Sequence, residues 1–139
     1  MTNFTKNLLV AAAALAVAAG AASAQPLQAD IPFAFEVNGN VLSAGTYRVD
    51  HISNLGHVYR FMGGQESAIV LAASEHDAQK AWKAAGNGKL AFECGPNRCV
   101  LVELWDGTGR PATSFYRPKT VDMGTRIAIV NMRREPKGD

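Results

Sequence analysis

From Ile31 onward the chain alternates apolar and polar residues with a period of two. In IPFAFEV, Phe33, Phe35 and Val37 alternate with Ala34 and Glu36, which puts one set on each face of a strand. Asn38-Gly39 follows, a strong signal for a two-residue hairpin turn because both positions tolerate positive φ. Val41-Leu42 begins the return, Ser43-Ala44-Gly45 breaks it, and the run resumes with Tyr47, Val49 and His51 on one face and Thr46, Arg48 and Asp50 on the other. His57 to Met62 and Ser67 to Ala73 read as two more strands around Gly63-Gly64, Lys89 to Cys94 and Cys99 to Trp105 as a hairpin, and Thr125 to Met132 as the last strand. Thr113 to Tyr116 reads as a short edge segment ahead of Pro118. Strands this closely spaced, with turn residues between them, predict a mainly β fold: a single antiparallel β-sandwich or small β-barrel.

One segment leaves that period. In SEHDAQKAWKAAGNG, Ser74 can cap, Glu75 and Asp77 fall in a first turn, and Ala78, Ala81, Trp82 and Ala85 share a helical face before Gly86 and Gly88. This predicts one short helix over Glu75 to Ala85 that packs Trp82 on a sheet face or a barrel mouth.

The chain start has the features of a targeting leader. Met1 to Lys6 is polar with one cation, Leu8 to Ala19 is unbroken apolar, and Ala22-Ser23-Ala24 suits signal peptidase. The apolar run is shorter than the roughly 20 residues a membrane-spanning helix needs. The reading is therefore a cleaved leader over residues 1–24 and one domain over 25–139, secreted or periplasmic, with no stable membrane span after cleavage.

Charge is nearly balanced, 14 Lys and Arg against 12 Asp and Glu. Nucleic-acid binding through counterion release needs clustered cations, and the only cluster, Arg133-Arg134 with Lys137, lies in the tail; nucleic acid is not an expected partner. The two cysteines, Cys94 and Cys99, flank Gly95-Pro96-Asn97-Arg98, which is turn chemistry. If the flanking strands pair around that loop, the sulfurs lie on directly opposed residues, and in an oxidising compartment a structural disulfide follows.

The blocks I-P-F-x-F-x-V-x-G-x-x-L-x-A-G-T-Y-x-V, at Ile31 to Val49, and K-L-x-F…L-x-E-L-W, at Lys89 to Trp105, together with the leader, resemble a group of short secreted bacterial proteins without assigned function. Those relatives often carry a polar Tyr-containing turn in the second block. Here Gly95-Pro96-Asn97-Arg98-Cys99 replaces it, so the cysteine pair is a departure from the group. The resemblance implies a β-rich extracytoplasmic domain and brings no activity with it.

The sequence contains no G-x-S-x-G elbow, phosphate-binding loop, dinucleotide fingerprint or H-E-x-x-H. Asp106-Gly107-Thr108-Gly109 reads as a turn, and Glu93 and Glu103 as charged rim positions beside aliphatic neighbours. A register that matches Tyr47 and Val49 to Phe61 and Tyr59 sets His51 opposite His57, a metal-binding candidate that needs a third ligand from Asp50, Glu75, His76 or Asp77. No cofactor is expected. The leading functional expectation is a non-enzymatic β-domain that binds an apolar or glycan ligand, or a protein partner, with contact area from Tyr47, Tyr59, Phe61, Trp82 and Trp105. The alternatives are a small metal-binding protein or hydrolase built on His51 and His57, and a cell-envelope structural or adhesion subunit that associates through strand edges.

Overall fold

The computed structural model describes residues 26–52, 58–116 and 126–135. Ten strands and one helix follow in the order β1 (Leu27–Ile31), β2 (Phe35–Val37), β3 (Asn40–Leu42), β4 (Gly45–Ile52), β5 (Val58–Met62), β6 (Ser67–His76), α1 (Lys80–Ala85), β7 (Lys89–Cys94), β8 (Cys99–Trp105), β9 (Ala112–Phe115) and β10 (Arg126–Arg134). Eight of them close a ring in the order β8-β7-β10-β1-β4-β5-β6-β9, and the β8–β9 pairing completes it. All neighbours in the ring are antiparallel. Of the two architectures open at the outset, the fold is the barrel.

The β2–β3 hairpin stands outside the ring. It turns on Asn38 and Gly39 at φ 49° and 80°, both in the left-handed region a two-residue turn of this hand requires. β2 lies parallel to the start of β8, with Phe35 opposite Cys99 and Glu36 opposite Val100.

Inward-pointing side chains fill the barrel. Phe35, Phe61, Phe92, Leu90, Leu101 and Leu104 are at most 2% exposed, and Phe35 packs edge-on against Tyr47 at 5.2 Å and Phe92 at 5.5 Å between ring centroids. An eight-stranded barrel is just wide enough for its own side chains, and here aromatic rings take up that width.

A second apolar cluster lies on the outside of the wall: Ala78, Trp82, Ala91, Val102, Trp105 and Ala112. It explains why β7 and β8 read as nearly continuous apolar runs, since a strand covered on both faces loses its alternation. Leu90 and Phe92 fill the barrel while Ala91 lies with Trp82 outside. A bulge between Ala91 and Phe92 shifts the register within that hairpin, as an extra residue in one strand does.

The helix is shorter than its sequence period predicts. It spans Lys80–Ala85, with Gln79 as N-cap and no side-chain capping bond, while Glu75 and His76 belong to β6 and pair with Thr113 and Ala112. The reason is tertiary: pairing with β9 satisfies the backbone of Ser74 to His76 as strand, so Ser74 does not cap and Glu75 does not enter a first turn. β9 is likewise no edge; it lies between β6 and β8 and closes the ring. Leu27–Ile31, ahead of the first alternating block, is a further strand that joins β10 to β4.

Candidate functional site

The five aromatic residues expected to supply contact area are all buried: Tyr47, Tyr59, Phe61, Trp82 and Trp105 are each no more than 7% exposed. Phe61, Tyr47 and Tyr59 belong to the barrel core, and the two tryptophans to the outer cluster under the helix. Trp105 also donates its indole N–H to the Arg110 carbonyl at 3.1 Å, holding the loop after β8 against the wall. They form walls and filling rather than a platform.

Tyr47 alone reaches a surface hollow through its polar end. Its hydroxyl lies 2.7 Å from the Ser43 carbonyl and 2.9 Å from Glu66 Oε2; the Ser43 N–H and hydroxyl both donate to the same carboxylate, at 2.8 and 2.9 Å. The Ser43 N–H foremost, then the Tyr47 and Ser43 hydroxyls, hold the Glu66 carboxyl below the usual range. Burial, reinforced by Glu66, pushes Tyr47 up to about 12. In the hollow of about 270 Å³ between Ser43–Tyr47 and Gly63–Glu66, Ser43, Tyr47 and Glu66 thus bond to one another and staple two turns together.

The histidine pairing takes a different register from the expected one. Val49 faces Phe61 and His51 faces Tyr59, two residues along from a His51–His57 match; His57 lies outside the described residues. The alternation is satisfied equally by registers two residues apart, so the period alone did not distinguish them. His51 and Tyr59 do come together, with ring centroids 5.0 Å apart, and Arg110 Nη1 lies 3.5 Å from His51 Nδ1. Burial raises the Tyr59 phenol above its ordinary value, against the lowering effect of its hydrogen bond with Thr113. Three of the proposed third ligands have other partners: Asp50 is bound by Arg60 at 3.3 Å and Arg48 at 3.5 Å, Asp77 by Lys83 at 3.7 Å, and His76 by Glu103 at 2.8 Å. Among the described residues no three His, Cys, Asp or Glu side chains are placed to hold a metal ion.

Cys94 and Cys99 are directly opposed and joined by a disulfide. Asp106 accepts from the Thr108 N–H at 2.9 Å and hydroxyl at 2.6 Å, with Gly107 at φ 83°, so the Asp-Gly pair is a turn. Glu103, expected as a rim charge, is instead engaged by a histidine: His76 Nε2 lies 2.8 Å from its Oε1, and Ser114 Oγ lies 3.3 Å from His76 Nδ1. These three residues come from three strands, and no local spacing signals them.

A second hollow is a cleft in the wall. β6 pairs with β5 from Ser67 to Leu71 and with β9 only from Ala72 onward. The Gly63 N–H donates to the Glu66 carbonyl at 2.8 Å, so the antiparallel alternation has Ala68 and Val70 bonding to β5 while Ser67, Ile69 and Leu71 turn their N–H and C=O groups the other way. No described strand pairs with that edge. Beside it, a cleft of about 350 Å³ opens between Glu36 on β2, Leu71 on β6 and Tyr116 after β9. The interior residues Val70, Leu101 and Phe115 also line it. Leu71 is 63% and Tyr116 73% exposed, with Ile69 and Val41 also exposed. Arg98, in the turn between β7 and β8, forms an ion pair at 3.0 Å with Glu36 on β2.

The fold therefore defines a small closed antiparallel β-barrel with an appended hairpin and an outer helical cover. No family model, curated protein or solved structure matches the chain. Among the described residues no helix is long and apolar enough to cross a membrane.

Proposed function

We propose that this chain is an extracytoplasmic binding domain that takes a protein partner at the cleft between β2 and β6, rather than an apolar molecule inside the barrel. The observation that carries the reading is the cleft itself, where Leu71 and Tyr116 stand exposed beside a stretch of β6 whose outer edge pairs with no described strand. Exposed apolar residues grouped at one place mark interaction sites, and an open edge favours an extended segment, whose backbone can pair while a side chain enters the pocket. The aromatic filling of the barrel argues against an interior ligand. The leader and the disulfide support a place outside the cytoplasm. A glycan is disfavoured because the five aromatic residues expected to supply contact area are buried, which leaves Tyr116 as the one exposed ring in the cleft lining.

The test is selection of displayed peptides on the purified protein, followed by fluorescence anisotropy with the selected peptides on wild type and Leu71→Asp. At least tenfold weaker binding to the variant, with an unchanged circular dichroism spectrum, supports the reading. Equal binding to both proteins sinks it.

A further inference from the structure

Away from the cleft, on the outer face where β6, β8 and β9 meet, Ser114, His76 and Glu103 form a continuous chain of contacts. Ser114 on β9 stands opposite Glu103 on one side and Ser74 on the other, and His76 on β6 reaches across β9 to Glu103. Glu103 is largely covered, its side chain 15% exposed, while that of His76 is 43% exposed. Ala112, directly opposite His76, is buried in the cluster with Trp82. The helix thus flanks the three residues on one side, with His76 exposed and Ser114 half-buried.

The contacts determine the tautomer. An ionised carboxylate only accepts hydrogen bonds, so the proton of a neutral His76 sits on Nε2, facing Glu103 Oε1 at 2.8 Å. Nδ1 then carries the free lone pair, and the Ser114 hydroxyl, 3.3 Å away, donates to it. This is the arrangement of a nucleophile, a base and a residue that orients the base. The ring nitrogens exchange the places they hold in the best-known triads, and the roles follow from geometry rather than order.

We propose that Ser114 is an activated nucleophile that accepts acyl groups from activated esters, with His76 as general base and Glu103 as positioning residue. In the step, Ser114 Oγ bonds to the carbonyl carbon as its proton passes to His76 Nδ1. The bond from carbon to the leaving oxygen then breaks, and His76 returns the proton to that oxygen. The products are O-acyl-Ser114 and an alcohol, with no change in oxidation state. With His76 exposed and Ser114 half-buried, the substrate class is small esters with good leaving groups. General-base assistance contributes typically 10²–10⁴-fold, and a contact of 3.3 Å places the expectation at the lower end.

The probe is p-nitrophenyl acetate on the purified protein, with intact-mass and peptide-mapping readouts. Hydroxylamine distinguishes acetyl-serine, which it cleaves, from acetyl-lysine, which it leaves. Acetylation at Ser114 is expected about 10²-fold faster than at Ser74, its neighbour in register, which has no histidine partner among the described residues. His76→Gln is expected to remove most of that difference. Glu103→Gln is expected to slow labelling and to alter its pH profile, with Glu103→Asp restoring part of the rate. No hydroxylamine-labile label at Ser114, equal labelling of Ser74 and Ser114, or an unchanged rate in a folded His76→Gln protein would each overturn the assignment. The comparison between the two serines uses wild-type protein and does not depend on any variant folding.

Discussion

The Tyr47 hydroxyl sits 2.9 Å from Glu66 Oε2, tying the core strand β4 to the turn that joins β5 and β6. One end of Tyr47 packs against Phe35 and the other closes a polar turn. Its loss is felt in both packing and pH dependence.

Tyr47 is pushed from 10.0 up to about 12, so the folded state holds the phenolic proton more tightly than the unfolded chain. Its contribution is full below pH 10 and is lost as pH rises from about 10 to about 12. Glu66 is held below the ordinary carboxylate value; its contribution is present above the unfolded pKa and lost as pH falls through the lowered one. Tyr47→Phe should cost about 1 kcal/mol at neutral pH and flatten the alkaline limb of a plot of melting temperature against pH, leaving the acid limb steep enough to show Glu66's remaining bonds to Ser43.

Gly63 and Gly64 are adjacent but should respond in opposite ways. A Cβ on Gly63 would lie 2.7 Å from Tyr47 Cε1, whereas one on Gly64 meets nothing within 4 Å. Gly63→Ala should lose roughly 1–3 kcal/mol as the ring is forced aside. Gly64→Ala should stay within about 0.5 kcal/mol of wild type. Urea unfolding of both variants checks this, and equal midpoints would refute the packing of Tyr47 against that turn.

Replacing both Cys94 and Cys99 by Ser should cost about 2 kcal/mol, since the ring they close is short. The larger effect should be local. Cys99 carries the parallel pairing to Phe35, so amide exchange at β2 and the β7–β8 turn should accelerate more than exchange at β4, as hydrogen–deuterium exchange can measure.

Trp82 is the only buried residue of α1, and six residues are too few to hold a helix alone. Trp82→Ala should destabilise the protein by about 3–5 kcal/mol and release the helix while the barrel persists. Fluorescence of the remaining Trp105 should shift toward the red as its cover leaves. An unshifted spectrum would contradict the outer cluster.

Much of the fold was legible because its cues are local. The alternation around Tyr47 and Val49, the Asn38-Gly39 turn and the hairpin closed by Cys94 and Cys99 each involve residues a few positions apart, where backbone sterics and burial act on the same short segment. The helix at Trp82 was visible, but its start was not, because Ser74 to His76 could be read as a cap or as strand until β9 was placed beside them. The aromatic residues could be named as large apolar groups, though nothing local told barrel interior from outer wall. Tyr59 and Trp105 thus came from one class of signal and ended on opposite faces.

The contact His76 makes with Glu103 bridges 27 positions, and its contact with Ser114 bridges 38. A strand's period tells which side chains share a face but leaves open which strand lies alongside. The amino-acid order by itself determined strands, turns, the covalent clip and the polarity of each face. Ring closure, the choice between registers two residues apart, the cleft at Leu71 and the serine–histidine–glutamate cluster were decided only in three dimensions, because they depend on neighbours brought together by pairing across the whole chain.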